Sequence, residues 1–532
     1  MSEQSGATTA PPSSSVADLV RHSYERFSGS PALFVDGSWL TFAELECKAA
    51  SIARSLAELG AGVGDRVVIA LHNRPEVVAI EHALFLTNRV RVALSARLHP
   101  REVAAIARDC DARVLICESS HATAIRADDG LLPEAVAIVT AVPTAGAAAS
   151  LDELASRSAG GIEPTQARAD SVVALMYTSG TTGQPKGAIV TNRAWTAMLD
   201  AVWAELPPIG PGDVVLHAAP MSHFSGSLGY AYTLRGAATT TLGRFRVDET
   251  LETIERSRVS AVPLVPTMLK DLTVAAESGR YDLSSLRAIP YGGAAIAPTA
   301  LARAQRAFGD VLYQFYGLSE ALIPLTALSA ADHRHAPSGP VPDRLSSAGR
   351  ITPHVDLRIV DGGGQPVATG EIGEIRVRGD VVTPGYWNQP NQSAESFGDG
   401  WFRTGDLGLL DQAGYVHILD RSKDVIVTGG FTVYATEVEQ VIEALDAVAE
   451  VVVVGVPSER WGEGIVAVVV RRPGHEIGSE EVIEVCEARL AAYKRPVKVE
   501  FVDMLPRTST GKISRREVRD RFWQGRPRNV GE

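Results

Sequence analysis

The sequence predicts an α/β fold arranged in layers, and three observations lead to this prediction. First, short apolar segments of strand length recur along the chain, at Arg66–Leu71, Val114–Cys117, Val136–Val139 and Val214–Ala218. Second, helical periodicity separates such segments, as in Ala43–Leu59, and strands that alternate with helices are typical of α/β layers. Third, the strand-like run Val172–Met176 enters a glycine-rich segment that precedes a predicted helix at Ala194–Leu206, which places a ligand site at a strand end.

Other segments depart from this alternation. Residues Val355–Arg378 alternate as two strands, and Gly362–Gly364 between them predicts a hairpin turn. The stretch Thr144–Ala169 is rich in Ala, Gly and Ser and predicts a loop insertion. Residues 1–15 lack the charged start and apolar core of a signal peptide and predict a disordered tail. Because no run of 18 apolar residues occurs, we expect no membrane span and a cytoplasmic location.

Composition narrows the class of protein. A chain of 532 residues with 45% hydrophobic and 21% charged residues is typical of a globular protein with several domains. A net charge of −12 without a long Lys/Arg run argues against a nucleic-acid partner. His333 and His335 do not form a zinc motif. The four cysteines form no C-x-x-C pair, fit a reducing compartment and are expected to be small core residues: Cys47, Cys110, Cys117 and Cys486.

The segment Tyr177–Gly187 has the composition of a phosphate-binding loop. Its glycines let backbone N–H groups approach an anion, its hydroxyls can donate hydrogen bonds, and Lys186 supplies a mobile charge. Gln184 and Pro185 separate Gly183 from Lys186, so the segment is not a Walker loop. The alternative is an ordinary surface turn. We expect a nucleoside triphosphate ligand held by Thr178, Ser179, Gly180, Thr181, Thr182, Gly183 and Lys186.

Five further motifs follow in order, and with the loop they carry a resemblance. They are Tyr291–Ala294 (YGGA), Gln314–Glu320 (QFYGLSE), Phe402–Asp406 (FRTGD), Asp420–Asp424 (DRSKD) and Pro506–Lys512 (PRTSTGK). The chain resembles the adenylate-forming superfamily of acyl-CoA synthetases, stand-alone adenylation enzymes and firefly-type luciferases. The resemblance implies a large N-terminal domain, 16–420, of layered α/β sheets plus a β-rich subdomain. It also implies a small mobile α+β C-terminal domain, 421–532, which rotates about a hinge at Lys423.

The resemblance assigns nucleotide contacts that suit each residue type. Tyr316 offers an aromatic face for adenine, and Asp406 can accept hydrogen bonds from a ribose. Arg421 adds a ribose or phosphate contact, although it could instead form a surface ion pair with Asp424. Glu320, with Thr181, would hold Mg²⁺ beside the phosphates. The remaining nucleotide-binding positions implied are Gly292, Gly293, Gly317, Ser319 and Gly430.

Lys512 is the residue to which the resemblance gives the main catalytic role. Its ammonium would stabilise the charge that develops as a carboxylate attacks ATP and pyrophosphate leaves, which is electrostatic catalysis. The alternative is a lysine in a basic tail with Arg515, Arg516 and Arg519. His223 matches a position where the family often carries an aromatic gate, and its alternative is a hydrogen-bonded structural histidine.

The substrate pocket is the least specified part of the prediction. By resemblance it is lined by His223, Phe224, Gly226, Tyr291, Gly292, Ala294 and Gln314. Most of these candidates are small or apolar and none is acidic, which argues against an amino acid and favours an aryl or fatty acid.

The reaction implied is activation of a carboxylic acid by Mg-ATP, followed by transfer of the acyl group to the thiol of CoA. Thr432 and Ala435 replace the usual Asn and Pro at the pantetheine channel, Ser319 replaces Thr, and Val92–Ala96 (VALSA) replaces VPLNP. The acceptor therefore stays open among CoA, a phosphopantetheinyl carrier protein and an amine or other non-thiol nucleophile, and the acid could be unusual or inorganic. A non-catalytic nucleotide-binding protein and a luciferase-like oxygenase are further alternatives.

Overall fold

The structure is a computed structural model that describes residues 15–128, 130–156, 165, 167–179, 185–336, 339–458, 460–508 and 512–523. It confirms the α/β class. Contacts divide the chain into two units, of which the first comprises residues 1–217, 226–243 and 380–394. The second unit comprises residues 218–225, 244–379 and 395–532.

A seven-stranded sheet organises the first unit. Its strands lie in the order Ala149–Ser150, Ala137–Thr140, Ala112–Cys117, Arg66–Ala70, Val90–Ala93, Val172–Ser179 and Pro185–Thr191. All neighbouring pairs are parallel except the last, which is antiparallel. The predicted strands at residues 66, 114, 136 and 172 are confirmed, with ends shifted by a few residues. The apolar runs are buried because helices cover such parallel sheets.

A second sheet of the same unit has four strands. They lie in the order Val214–His217, Ala238–Thr241, Pro31–Val35 and Ser38–Thr41. Capping boxes begin three of the helices, with Ser15 paired to Asp18, Thr41 to Glu44 and His99 to Glu102. The helices that lie wholly or mainly in this unit are Val16–Phe27, Phe42–Glu58, Pro75–Leu86, Pro100–Asp109, Ser119–Arg126, Leu151–Ser156, Asn192–Glu205, Phe224–Thr233 and Pro390–Ser396.

One local expectation for this unit was wrong, and another was confirmed with an additional strand. The Thr144–Ala169 segment is not a plain loop, because it contains the strand Ala149–Ser150 and the helix Leu151–Ser156, whose Leu154 is buried. The helix predicted at Ala194–Leu206 is confirmed as Asn192–Glu205, but a strand that was not predicted, Pro185–Thr191, precedes it and pairs with Val172–Ser179. Lys186 is therefore paired directly with Thr178 across these two strands, and residues 180–184 lie outside the described residues.

The second unit contains two four-stranded sheets before residue 421. One has the strands Ile289–Gly292, Leu312–Tyr316, Thr326–Leu328 and Arg350–Ile351. The other is antiparallel, with the strands Asp356–Val360, Gly373–Arg378, Phe402–Leu410 and Val416–Arg421. The predicted turn at Gly362–Gly364 is confirmed, since the Gly364 N–H donates to the Asp361 carbonyl at 3.0 Å. The helices here are Val247–Ser257, Pro266–Ala276, Pro298–Phe308, Ala330–His333, Asp343–Ser346 and Gly398–Gly400.

The segment after residue 421 has its own sheet and core. Its sheet contains Phe431–Val433, Ile426–Thr428, Gly462–Arg471, Val448–Ser458 and Lys498–Phe501, and its helices are Ala435–Glu443, Ser479–Arg489, Ala492–Lys494 and Arg515–Trp523. The strand Val448–Ser458 is apolar on both faces. Val451 and Val453 pack into one cluster and Val452 and Val454 into another, as expected for alternating side chains with layers on both sides.

Three remaining expectations concern the surface and the ends. Cys110, Cys117 and Cys486 are buried as predicted, but Cys47 is exposed, because it lies on the outer face of the helix Phe42–Glu58. Ser15 is not part of a tail but caps the first helix, and residues 1–14 lie outside the described part of the chain. Within the described residues no helix combines the length and apolarity needed to cross a bilayer.

Candidate active site

A carboxylate at the centre of the second unit joins three of the predicted site residues. Asp406 lies on the strand Phe402–Leu410, and its carboxylate is only 5% exposed. Tyr316 Oη donates to Asp406 Oδ2 at 2.6 Å, and Arg421 Nε lies 3.0 Å from Asp406 Oδ1. Asp406 and Arg421 are directly paired across two antiparallel strands, which explains why residues 15 positions apart meet.

The charges of this cluster act on each other. Burial raises the pKa of the Tyr316 hydroxyl well above its usual value, and the adjacent Asp406 raises it further. The adjacent Asp406 likewise raises the pKa of Arg421, whose guanidinium is charged at neutral pH. A carboxylate can accept about four hydrogen bonds, so Asp406 keeps acceptor capacity for a ligand beyond Tyr316 and Arg421. The suggested pairing of Arg421 with Asp424 is wrong, because Arg421 binds Asp406.

Lys512 reaches the same region from the last loop of the chain. A Cβ placed on Gly293 would lie 3.3 Å from Lys512 Nζ, and Gly293 has a φ of +86°, so only glycine suits this position. Surrounding protein atoms lower the pKa of Lys512 from 10.5 to about 8; repulsion by Arg421 adds to the lowering, and Asp406 opposes it. Lys512 also contacts solvent, so water screens part of this effect.

Lys512 does not belong to a loose basic tail. Arg515 contacts Asp420 at 3.0 Å and Glu439 at 2.7 Å, while Arg519 contacts Asp424 at 3.1 Å. These partly buried pairs fix the helix that follows Lys512. The alternative of a solvated basic tail is therefore wrong for Arg515 and Arg519.

The predicted metal ligand stands next to the same cluster. Glu320 is half-buried, and its charge raises the pKa of Arg421. It lies within a tight turn, where the Leu318 N–H donates to the Ala321 carbonyl at 2.8 Å and Gly317 packs against Ile323. Among the described residues, no group of three or more His, Cys, Asp or Glu side chains is arranged to hold a metal ion. A single carboxylate fits Mg²⁺ that is held mainly by phosphate oxygens.

The pocket candidates divide into a contacting pair and a buried network. A Cβ on Gly292 would meet the Phe224 ring at 3.3 Å and the Phe315 carbonyl oxygen at 2.3 Å, so Gly292 and Phe224 are in contact. His223 Nδ1 lies 2.7 Å from Ser222 Oγ and is half-buried. Ala294 is exposed, and Gly226 lies in the helix Phe224–Thr233.

Tyr291 does not present its hydroxyl to an open surface. The side chain is fully buried, and Oη lies 2.7 Å from His333 Nε2 and 3.0 Å from Gln314 Oε1. His333 could not be associated with this site from sequence, because it lies on a separate short helix at no recognisable spacing from Tyr291.

The predicted phosphate-binding residues lie in the first unit. Lys186 is buried, and its Nζ lies 5.6 Å from the centre of the Tyr386 ring, a cation–π distance. The Tyr177 ring packs on Gly187, where a Cβ would approach within 2.9 Å, and its hydroxyl donates to Asp109. Gly180, Thr181, Thr182, Gly183 and the Ser179 side chain lie outside the described part of the chain.

The predicted hinge and channel residues are on the surface, except Ala435. Lys423 is exposed in a turn closed by the Asp424 N–H donating to the Arg421 carbonyl at 2.9 Å. Gly430, with a φ of +83°, turns the chain between two short strands, and no atom lies within 4 Å of its Cβ position. Thr432 is exposed, whereas Ala435 is buried at the start of a helix.

Fold and site together define an adenylate-forming protein, in which Tyr316, Asp406 and Arg421 form one cluster and Lys512 lies against Gly293. Comparison with known proteins gives the family. The AMP-binding enzyme profile matches residues 20–387, and the AMP-binding enzyme C-terminal domain profile matches residues 437–512. The chain belongs to the AMP-binding enzyme family.

Three relatives carry names that differ in the acceptor. The chain is 36% identical over 524 residues to the medium/long-chain-fatty-acid–CoA ligase FadD8 of Mycobacterium tuberculosis (strain ATCC 25618 / H37Rv), covering 95% of this chain and 90% of the relative. It is 33% identical over 506 residues to the fatty acid–[acyl-carrier-protein] ligase ScoC of Streptomyces coeruleorubidus, covering 94% and 95%. The solved structure of the amide bond synthetase McbA from Marinactinospora thermotolerans superposes with a TM-score of 0.85 at 29% identity, covering 95% and 99%.

Proposed function

We propose that this protein activates a carboxylic acid with ATP as an acyl-adenylate, releases pyrophosphate and transfers the acyl group to the thiol of CoA. The observation that carries the proposal is the cluster of Tyr316, Asp406 and Arg421 with the Lys512 ammonium at Gly293. An aromatic ring, a carboxylate and a guanidinium in contact, with an ammonium that interacts electrostatically with the last two, match the base, sugar and phosphates of a nucleotide.

Each member of the cluster has a role in the first half-reaction. Asp406 accepts hydrogen bonds from the ribose, Tyr316 is positioned by Asp406 to stack on adenine, and Arg421 neutralises negative charge. Lys512 stabilises the charge that builds up on the α-phosphate and the attacking carboxylate. Thr178, Ser179 and Lys186, with the glycines and threonines at 180–183, bind the β- and γ-phosphates. Glu320 with Thr181 would hold Mg²⁺, which neutralises the polyphosphate when bound.

An apolar acid is the substrate class that the pocket candidates favour. Phe224 and Gly292 are in contact, and the Tyr291 hydroxyl is already bonded inside the protein. None of the pocket candidates is acidic, so an amino group on the substrate would find no carboxylate partner among them. We therefore expect an aryl or fatty acid, with His223 as the gate that moves when the thiol enters.

CoA is the acceptor that the surface next to Gly430 favours. Phe431 and Tyr493 stack with ring centres 4.5 Å apart, both are exposed, and the exposed Trp461 packs against Gly429. Exposed aromatic faces suit the adenine of CoA. A carrier protein stays a second candidate because ScoC is named a carrier-protein ligase, and an amine stays a third because McbA is named an amide bond synthetase.

The domain organisation is part of the proposal. A boundary at 420/421 agrees with the separate sheet and core after residue 421, and Lys423 in its exposed turn is the hinge between the two half-reactions. We expect the protein to act in the cytoplasm without nucleic-acid partners.

The proposal is tested by pyrophosphate release from the full chain with Mg-ATP. Aryl, fatty, amino and inorganic acids are each supplied alone, with CoA, with a carrier protein or with an amine, and products are identified by mass spectrometry. Release with one acid and a CoA thioester as product would support the proposal. Release without any acyl-CoA would transfer the acceptor role to the carrier or amine that yields product, and no release with any acid would refute acid activation.

A further inference from the structure

A buried polar network lies behind the acyl-pocket candidates of the second unit. Tyr291 and Gln314 are direct neighbours on two parallel strands, and His333 ends the short helix Ala330–His333. Tyr291 Oη contacts His333 Nε2 at 2.7 Å and Gln314 Oε1 at 3.0 Å, with the two rings edge to face. Tyr291 is 0% and His333 1% exposed, whereas Gln314 is half-buried.

Counting protons identifies the adjustable member of this network. The Ser329 carbonyl can only accept, so His333 Nδ1, at 2.7 Å from it, carries a proton. Burial lowers the pKa of His333 to about 4, so its ring is neutral at pH 7 and Nε2 accepts from the Tyr291 hydroxyl. The single hydroxyl proton of Tyr291 is then used on His333, so no proton is left for the contact between Tyr291 Oη and Gln314 Oε1. If the Gln314 amide turned over, its oxygen would instead face the Ser347 carbonyl, which lies 3.3 Å from Nε2.

Tyr291 and His333 are therefore fixed in orientation, whereas the Gln314 amide is not. Tyr291 and His333 are held in one arrangement by burial and by the Ser329 carbonyl. Either orientation of the Gln314 amide leaves one of its contacts without a proton, so a polar or apolar group placed beside it shifts the balance between orientations.

The network is continuous with the reacting region through one strand. Tyr291 is followed directly by Gly292, which touches Phe224, and by Gly293, which faces Lys512. A displacement of Tyr291 would be passed along the backbone to both glycines, because Tyr291 and Gly292 end the strand Ile289–Gly292 and Gly293 follows directly.

We propose that His333 is a positioning residue for acid selection: by fixing Tyr291, it positions the Gly292–Gly293 strand end against which the acid tail is placed, while the Gln314 amide beside Tyr291 can change its orientation with the acid. This inference rests on the proposed function and adds to it the residues that decide between acids. Because Tyr291 and His333 use their polar atoms on each other and on Ser329, the site selects an acid with an apolar tail.

The test compares two matched tyrosine variants. Tyr291→Phe removes the hydroxyl bonded to His333, and Tyr24→Phe removes a hydroxyl bonded to His82 at the same 2.7 Å, on a tyrosine only 2% exposed in the first unit. With the preferred acid, we expect Tyr291→Phe to raise the KM for the acid about tenfold while the KM for ATP changes less than about twofold. Tyr24→Phe should leave both KM values unchanged.

A second pair of variants separates positioning from folding. His333→Gln keeps a donor and an acceptor and should stay near wild type, whereas His333→Leu should resemble Tyr291→Phe and admit acids with polar tails. Equal acid selectivity in Tyr291→Phe and Tyr24→Phe, or equal changes in both KM values, would overturn the inference. The rate of pyrophosphate release by the wild-type enzyme tests the proposed function, whereas the ratio of variant to wild-type KM tests the role of His333. Failure of the proposed function can therefore be told apart from failure of this inference.

Discussion

The charge of Lys512 gives the most specific prediction. Replacing Lys512 with Ala should lower the rate of pyrophosphate release by about 100- to 1,000-fold, as does loss of one preorganised donor at a developing anion. Binding of ATP should change little, because Tyr316, Asp406 and Arg421 remain in contact with each other.

The pH dependence follows from the lowered pKa. With a pKa of about 8, roughly half of the Lys512 side chains are charged at pH 8 and about a tenth at pH 9. The charged form is present below this pKa and lost above it, so kcat/KM for ATP, which reports the free enzyme, should fall as pH rises past 8. Lys512→Arg stays charged throughout this range and should not show the fall, even if its rate is lower.

The assay is ATP–pyrophosphate exchange between pH 6.5 and 9.5, with nucleotide binding measured separately by calorimetry. The reasoning would be refuted by a Lys512→Ala enzyme with a normal exchange rate. An identical pH inflection in wild type and Lys512→Arg would show that another group titrates.

Three further predictions concern the hinge, the ion pairs and the strand end. Lys423→Pro should slow one half-reaction more than the other, measured as separate adenylation and thioester rates, and equal slowing would contradict a hinge. Glu443→Gln breaks the ion pair with Lys270, whose Nζ lies 3.1 Å from Glu443 Oε1. Because this pair joins a helix before residue 421 to a helix after it, its loss should change the ratio of the adenylation rate to the thioester rate by up to about fivefold. A double variant with Glu443→Lys and Lys270→Glu, which restores an ion pair, should restore the ratio. Gly292→Ala places a Cβ 2.3 Å from a backbone oxygen and should cost about 1–3 kcal/mol of unfolding free energy, whereas Gly362→Ala, which meets nothing within 4 Å, should not alter the melting temperature.

The sequence alone determined the α/β class and most strand positions, because short apolar runs that alternate with helical periodicity are typical of buried strands in an α/β fold. It also placed Tyr316, Asp406, Arg421 and Lys512 in one site, since their motifs resemble one family. Their contact in the structure agrees with that prediction, while the roles of the individual residues remain proposals.

Only the tertiary structure decided which side chains meet. The strand Pro185–Thr191 was not predicted because its pairing with Val172–Ser179 depends on contacts across the hairpin rather than on local propensity. Arg421 binds Asp406 rather than Asp424 because strand register brings them opposite each other. His333 meets Tyr291 across 42 residues of sequence. Periodicity and spacing describe local geometry, and they contain no information about contacts that arise when separate elements pack.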